Sequence, residues 1–266
     1  LTGLADIRPP AKAERATAKN YGKGTIVIAY DNVEKILDAQ LAIRAEFVDA
    51  FTADIWAKFY ISPSLWYFHL GTPLSPCSIN LKDYASVSSY FMFGQNLPPM
   101  APPPPQVSGV LGGMSDDRNE EDIVLGNGIG TGMKIQVGFD ESLSLLDKYS
   151  VYMSAYVGTG FDMTLYKYAY PAHCEGEEGE FGANYWYLQG QLYAYGGFEA
   201  GVTGRFAGSD FNYTVISASM AMLLQGKLPK PAYIYGGINM RARIFSVINL
   251  DLTMEFDAGE ECNVVY

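Results

Sequence analysis

Apolar and polar residues alternate along the C-terminal third of the chain with a period of two. From Trp186 to Phe206 the even positions are apolar or glycine, as in Leu188, Leu192, Ala194, Phe198 and Val202. The odd positions carry Tyr185, Tyr187, Gln189, Gln191, Tyr193, Tyr195, Glu199 and Arg205. The same phase returns from Ile234 to Phe256, with Met240, Ile244, Leu250 and Met254 against Asn239, Arg241, Arg243, Asp251 and Glu255. A two-residue period puts successive side chains on opposite faces of an extended strand. At ~3.3 Å per residue, each stretch predicts a strand of roughly 65 Å. Most strands run to about five or six residues.

The rest of the chain predicts more of the same architecture. Strands are expected at about 24–30, 36–48, 54–61, 65–71 and 84–93, then from Met133 to Phe139 and from Val151 to Leu165. The stretch 34–61 also carries a helical stripe, but its strand-like neighbours favour two strands. Prolines in PPMAPPPP (98–105) cannot donate backbone hydrogen bonds, so that segment is expected to be extended loop, with one helical turn in QVSGVLGG. Residues 94–130 thus form one long Pro-rich and acidic excursion, and 1–22 an irregular N-terminal segment before a single domain over 23–266. Short turn-like links at AGSD and LPKPAY join the last strands into a meander. The fold class is all-β: a long-stranded antiparallel meander curled into a barrel-like or half-open sheet.

A sheet with one apolar face becomes a sandwich, a curled or closed soluble barrel, or a lipid-facing barrel. Two features argue against lipid. The strands are twice the roughly 9–11 residues that cross a bilayer, and their apolar rows run on without a polar break. The expectation is therefore a soluble curled sheet whose apolar rows enclose a packed core or an apolar groove. Gly190, Gly196 and Gly204 on those rows permit the bending.

Composition narrows the functional classes. The 266 residues are 48% hydrophobic and only 18% charged, enough to bury a core. A net charge of −11 argues against nucleic acid, which needs clustered Lys and Arg. The chain opens LTGLADIRPP, without an apolar signal region, and reads as a processed piece of something longer. No run of 18 apolar residues is present, so no transmembrane helix is expected.

Candidate chemistry is sparse. Cys174 and Cys262 sit in acidic, Gly-containing segments, and an inter-loop disulfide between them is expected if the chain is exported. His69 lies on the polar phase of its strand and reads as an exposed or loosely bonded residue. His173 beside Cys174 offers poor nucleophile–base geometry, because adjacent residues point apart. Asp116, Asp117, Glu120, Glu121 and Asp122 lack a Ca²⁺-loop spacing, and GNGIGTG (126–132) lacks the Lys-Ser/Thr ending of a phosphate loop. No metal site, cofactor or catalytic residue is assigned. Tyr185, Tyr187, Tyr193 and Tyr195 form an aromatic row that, if exposed, is a contact surface for a partner.

Six segments carry a resemblance: WYFHLGTP (66–73), YFMFGQNLPPMAPPPPQV (90–107), GTGFD (158–162), CEGEEGEFGANYWYLQGQLYAY (174–195), LLQGKLPKP (223–231) and AGEEC (258–262). In this order they resemble a β-rich module near the C-terminal end of very large exported proteins of Bacteroidota. The resemblance implies export, at the cell surface or in the periplasm of a Gram-negative bacterium. It supplies no catalytic residues. The leading expectation is a non-enzymatic structural module of a surface or secretion-associated assembly, with other proteins as partners and the outer membrane nearby. The alternatives are a carrier of lipid or another hydrophobic ligand in an apolar groove, and an outer-membrane β-barrel.

Overall fold

The computed structural model describes residues 2–5, 21–47, 50–82, 84–95, 97–112, 126–146, 149–168, 170–176, 179–206, 208–245, 247–261 and 264–265. One antiparallel sheet dominates them. Its first half contains β1 (Thr2–Ala5), β2 (Tyr21–Asp31), β3 (Ile36–Phe47), β4 (Phe51–Ile61), β5 (Trp66–Leu70), β6 (Cys77–Leu81) and β7 (Ala85–Gly94). Its second half contains β8 (Gly128–Leu146), β9 (Tyr149–Lys167), β11 (Trp186–Phe206), β12 (Ser209–Leu228), β13 (Tyr233–Ile244) and β14 (Ile248–Gly259). Sequential neighbours pair throughout, except that β5 and β6 lie end to end between β4 and β7. A separate ladder joins β10 (His173–Cys174) to β15 (Val264–Val265). The sheet curls partly into a ring and does not close into a barrel. The N-terminal segment departs from the expected irregularity, because β1 pairs with β2 from Thr2↔Val27 to Ala5↔Gly24.

The last long strand is a second departure. The stretch 233–256, read as one strand, is a hairpin of two 12-residue strands, β13 and β14. The apolar phase survives the turn because three residues separate Ile244 from Ile248, and these two pair with each other on one face. Phe245, at φ 51°, makes the turn without a Gly or Pro to announce it. Its N–H donates to the carbonyl of Val215, the residue left over where the β11–β12 register shifts. The strands of 11 and 12 residues, β2, β3, β4, β13 and β14, are close to bilayer-spanning length; β8, β9, β11 and β12 are longer.

The third departure is the largest. The apolar rows were expected to line the interior, yet they face outward. Leu192 on β11 is 55% exposed, Val157 on β9 58% and Leu250 on β14 63%. Cross-strand pairing carries this face around the sheet: Phe68↔Phe93↔Ile129↔Leu165↔Leu188 is one row of it. The opposite row is the buried one. Gln191 is 3% exposed, Tyr195 1% and Asn239 2%. Among the described residues, every Asp, Glu, Lys and Arg within a long strand lies on the inner parity, save Glu141 on β8 and Lys167, the last residue of β9.

Links alternate in length between the two rims. From β2 onward, one rim holds the links 32–35, 62–65, 95–127, 168–185 and 229–232. The other holds only 48–50, 82–84, 147–148, 207–208 and 245–247. Among the described residues, Tyr and Trp of the strands reach the outer face only near these rims: Tyr30, Trp66 and Trp186 at the first, Tyr149 and Tyr213 at the second.

Candidate functional site on the concave face

The inner face is built from aromatic rings set across from glycines. Tyr193 pairs with Gly160 and Tyr195 with Gly158, and a Cβ on either glycine would overlap the facing ring. Tyr156 covers Gly197 and Tyr152 covers Gly201 in the reverse sense on the same strands. On β7, Tyr90 covers Gly132 in the same way. Each missing side chain leaves room for a large ring to lie flat along the sheet, which bends the wall and fills its inside. Gly128, Gly130 and Gly132 of GNGIGTG therefore serve packing and belong to strand β8.

The Pro-rich excursion folds back into the concavity. Residues 105–108 form the single helical turn α1 (Pro105–Ser108), which takes in the last proline of PPMAPPPP and the start of QVSGVLGG, where a helical turn was expected. Pro at its first position fits a helix start, where no backbone donor is needed. Val107 and Leu111 bury against Tyr193, Tyr195, Ala221, Leu223 and Tyr235. Two polar contacts fasten the segment. The Gln191 amide donates to the Ala101 carbonyl at 2.8 Å and to Asp162 Oδ2 at 2.9 Å, and Glu255 Oε1 accepts from the Gly112 N–H at 3.1 Å. Gln225 in turn donates to Gln191 Oε1 at 3.3 Å. A buried polar chain of this kind is stabilising only when its members find partners, and here they do.

The residues singled out from sequence fall as follows. Tyr187, Tyr193 and Tyr195 are buried on the inner face, and Tyr185 packs half-buried against a second cluster of Tyr166, Tyr168, Phe181 and Tyr187. They are interior packing, so the exposure on which a contact surface depended is not met. The reason is the inverted sheet: the face they share with Gln189 and Gln191 is the enclosed one. His69, read as exposed or loosely hydrogen-bonded, is 5% exposed and stacked on Tyr67 with ring centroids 4.5 Å apart. Cys174 is disulfide-bonded and Cys77 is free. An oxidised Cys174 removes any Cys/His dyad with His173. Cys262 lies outside the described residues, but β15 brings Val264 opposite Cys174. Non-reducing peptide mapping is expected to recover the Cys174 peptide joined to the Cys262 peptide, with only Cys77 alkylated after unfolding. Reduction is expected to cost about 2–4 kcal/mol of stability. The acidic residues 116, 117 and 120–122 also lie outside the described residues.

Sequence reading missed two features. One is an open polar groove of about 370 Å³ on the inner face of β9, β11, β12, β13 and β14, with Glu199, Ser217, Ser219, Arg241 and Arg243 among its walls. Its signal was present as the Ser/Arg/Asp content of the odd positions. The other is an apolar depression of about 270 Å³ on the outer face, floored by Gly190 and its partner Gly226 and walled by Leu188, Leu192, Leu224 and Leu228. The hydrophobic groove anticipated inside the sheet thus has its counterpart outside. Among the described residues, no group of three His, Cys, Asp or Glu could hold a metal ion. No described helix is long and apolar enough to cross a membrane, which leaves strands untouched by that criterion. No family model, curated protein or solved structure matches the chain.

Proposed function

We propose that this chain is a lipid-facing β-sheet, a wall segment of an outer-membrane-type barrel. Its outer rows meet acyl chains and its inner rows line an aqueous interior filled in part by residues 97–112. The observation that carries the reading is the exposed apolar face, continuous from β2 to β14, backed by an inner face that holds nearly every strand charge. In water such a face is far larger than the few hundred Å² of contiguous apolar surface that monomers usually expose. In lipid it is the favourable arrangement, apolar out and polar in. Tyr30, Trp66 and Trp186 at one rim and Tyr149 and Tyr213 at the other match the interfacial belts where amphipathic rings settle.

Two consequences follow. Short turns occupy the periplasmic side of such barrels and longer loops the outside, so the rim carrying 95–127 and 168–185 is the external one. Among the described residues no strand pairs with the outer edge of β14, and lipid cannot satisfy its N–H and C=O groups. That edge must therefore be paired in the membrane, by the opposite edge of the sheet or by another strand. The role is structural, as the resemblance to exported surface modules implies, and no residue is assigned to catalysis.

Refolding tests the reading. Urea-unfolded chain diluted into lipid vesicles is expected to gain the far-ultraviolet β signal and to float with them, whereas dilution into buffer alone gives aggregate. A dispersed, β-rich monomer in buffer without lipid or detergent would overturn it.

A further inference from the structure

The inner groove holds opposite charges that lie on one row of the sheet and do not pair. The register runs Glu199↔Ser217↔Arg243↔Asn249, so Glu199 and Arg243 stand two strands apart with a serine between them. At ~4.8 Å per strand their Cα atoms are about 10 Å apart, within reach of a direct ion pair. Each is turned to another partner instead. Glu199 Oε1 accepts from Tyr152 at 2.9 Å and from Thr214 at 2.8 Å. Arg243 Nε donates to Asn249 Oδ1 at 2.9 Å. One row nearer the rim that carries 95–127, Arg241 Nε donates to Asp251 Oδ2 at 2.9 Å, and Ser219 is its cross-strand neighbour.

This arrangement leaves donors open to solvent and to a ligand. Both guanidiniums are anchored through Nε, and among the described residues their terminal nitrogens make no other hydrogen bond. The two arginines sit two positions apart on one face of β13, roughly 7 Å from each other. Two anchored forks over the hydroxyls of Ser217 and Ser219 form a seat for a carboxylate, since a guanidinium fork matches it in a bidentate fashion. Glu199 on the far wall offers a negative group to a cation. The hydrogen bonds that hold the two walls apart preserve about 370 Å³ between them.

We propose that this groove binds a short zwitterion of the amino-acid or dipeptide class, its carboxylate on Arg241 and Arg243 and its ammonium on Glu199. A serine stands between the two charges in the register, so a molecule with a carboxylate at one end and an ammonium at the other meets both walls across it. The site lies on the inner face, so it stands whether or not the outer face meets lipid.

Calorimetric titration of the full chain in detergent micelles with glycylglycine tests it, with acetate and methylammonium as single-charge probes. Glycylglycine is expected to saturate one site and to bind at least tenfold more tightly than either single-charge probe. Arg243→Gln and Glu199→Gln are each expected to weaken it at least tenfold while the circular dichroism spectrum stays unchanged. Ser217→Leu fills the floor between the two charges and leaves both in place, so it too is expected to abolish binding. The absence of saturable glycylglycine binding to the folded wild-type chain would overturn the proposal. So would acetate binding as tightly as glycylglycine, with Glu199→Gln having no effect, because that pattern describes a simple anion site.

Discussion

Met220→Arg is expected to destabilise the vesicle-bound fold by about 2–4 kcal/mol, while Ser219→Arg beside it costs less than about 0.5 kcal/mol. The two positions are consecutive on β12 and therefore face opposite sides of the sheet. Met220 pairs with Gly196 and Met240 on the outer face, near the middle of its height. Ser219 pairs with Gly197 and Arg241 on the inner face, at the open groove. A cation at mid-depth in lipid loses its hydration without gaining a partner, whereas one in the aqueous concavity keeps it. A soluble sheet gives a different result: Met220 is 42% exposed, and a charge placed there in water is nearly free. Denaturant titration of both variants in vesicles reads the difference directly. Equal, small costs at the two positions would contradict the lipid-facing reading.

Gly158→Val is expected to cost about 3 kcal/mol or more and to loosen the segment 97–112 along with the strand. The Tyr195 ring lies where the new Cβ would go. Backbone and ring cannot both stay, and overpacking alone costs typically 1–3 kcal/mol. Tyr195 is also the base on which Val107 and Leu111 pack, and its hydroxyl donates to Gln136 at 3.0 Å. Moving it takes away contacts on both sides. The check is a double-mutant cycle. If the clash is the cause, Gly158→Val combined with Tyr195→Ala is expected to cost clearly less than the sum of the two single changes, because the truncated side chain vacates the space. Strict additivity would mean that the ring and the glycine do not determine one another. Limited proteolysis within 98–111 gives a second readout: cleavage is expected to speed up in Gly158→Val and not in Met220→Arg.

The secondary structure was legible in the chain because a period of two leaves an unambiguous trace. Leu188 to Val202 alternates without interruption, and a strand forms there. The three-residue turn between β13 and β14 hid itself, since an odd-length link keeps the phase and Phe245-Ser246-Val247 contains no turn-forming glycine or proline. That oversight doubled the apparent strand length and removed an argument for a bilayer. The direction of the faces was harder. Alternation says that Leu192 and Gln191 point apart but not which one meets the surroundings, because the apolar row goes inward in water and outward in lipid. Two residue patterns did bear on it. Strand charges such as Lys134, Asp162, Lys227 and Arg241 all share the phase of the aromatic row, and Trp and Tyr appear on the apolar phase only at strand ends. The interior partners of the tyrosines were not legible, since facing Tyr195 to Gly158 requires the register of two strands 37 positions apart in the chain. The groove charges needed the register of four strands, and hydrogen bonds that keep Glu199 from Arg243 leave no mark in a linear sequence.

Nitroxide scanning of β12 in lipid vesicles tests the central claim most directly. Single cysteines at positions 217 to 224, in a Cys77→Ser background, each carry one spin label. Collision with oxygen, which concentrates in hydrocarbon, is expected to peak at positions 218, 220, 222 and 224. Collision with a water-soluble nickel chelate is expected to peak at 217 and 219 and to be low at the even positions. Even positions that meet the nickel chelate as readily as 217 and 219 would place the apolar rows in water and contradict the account.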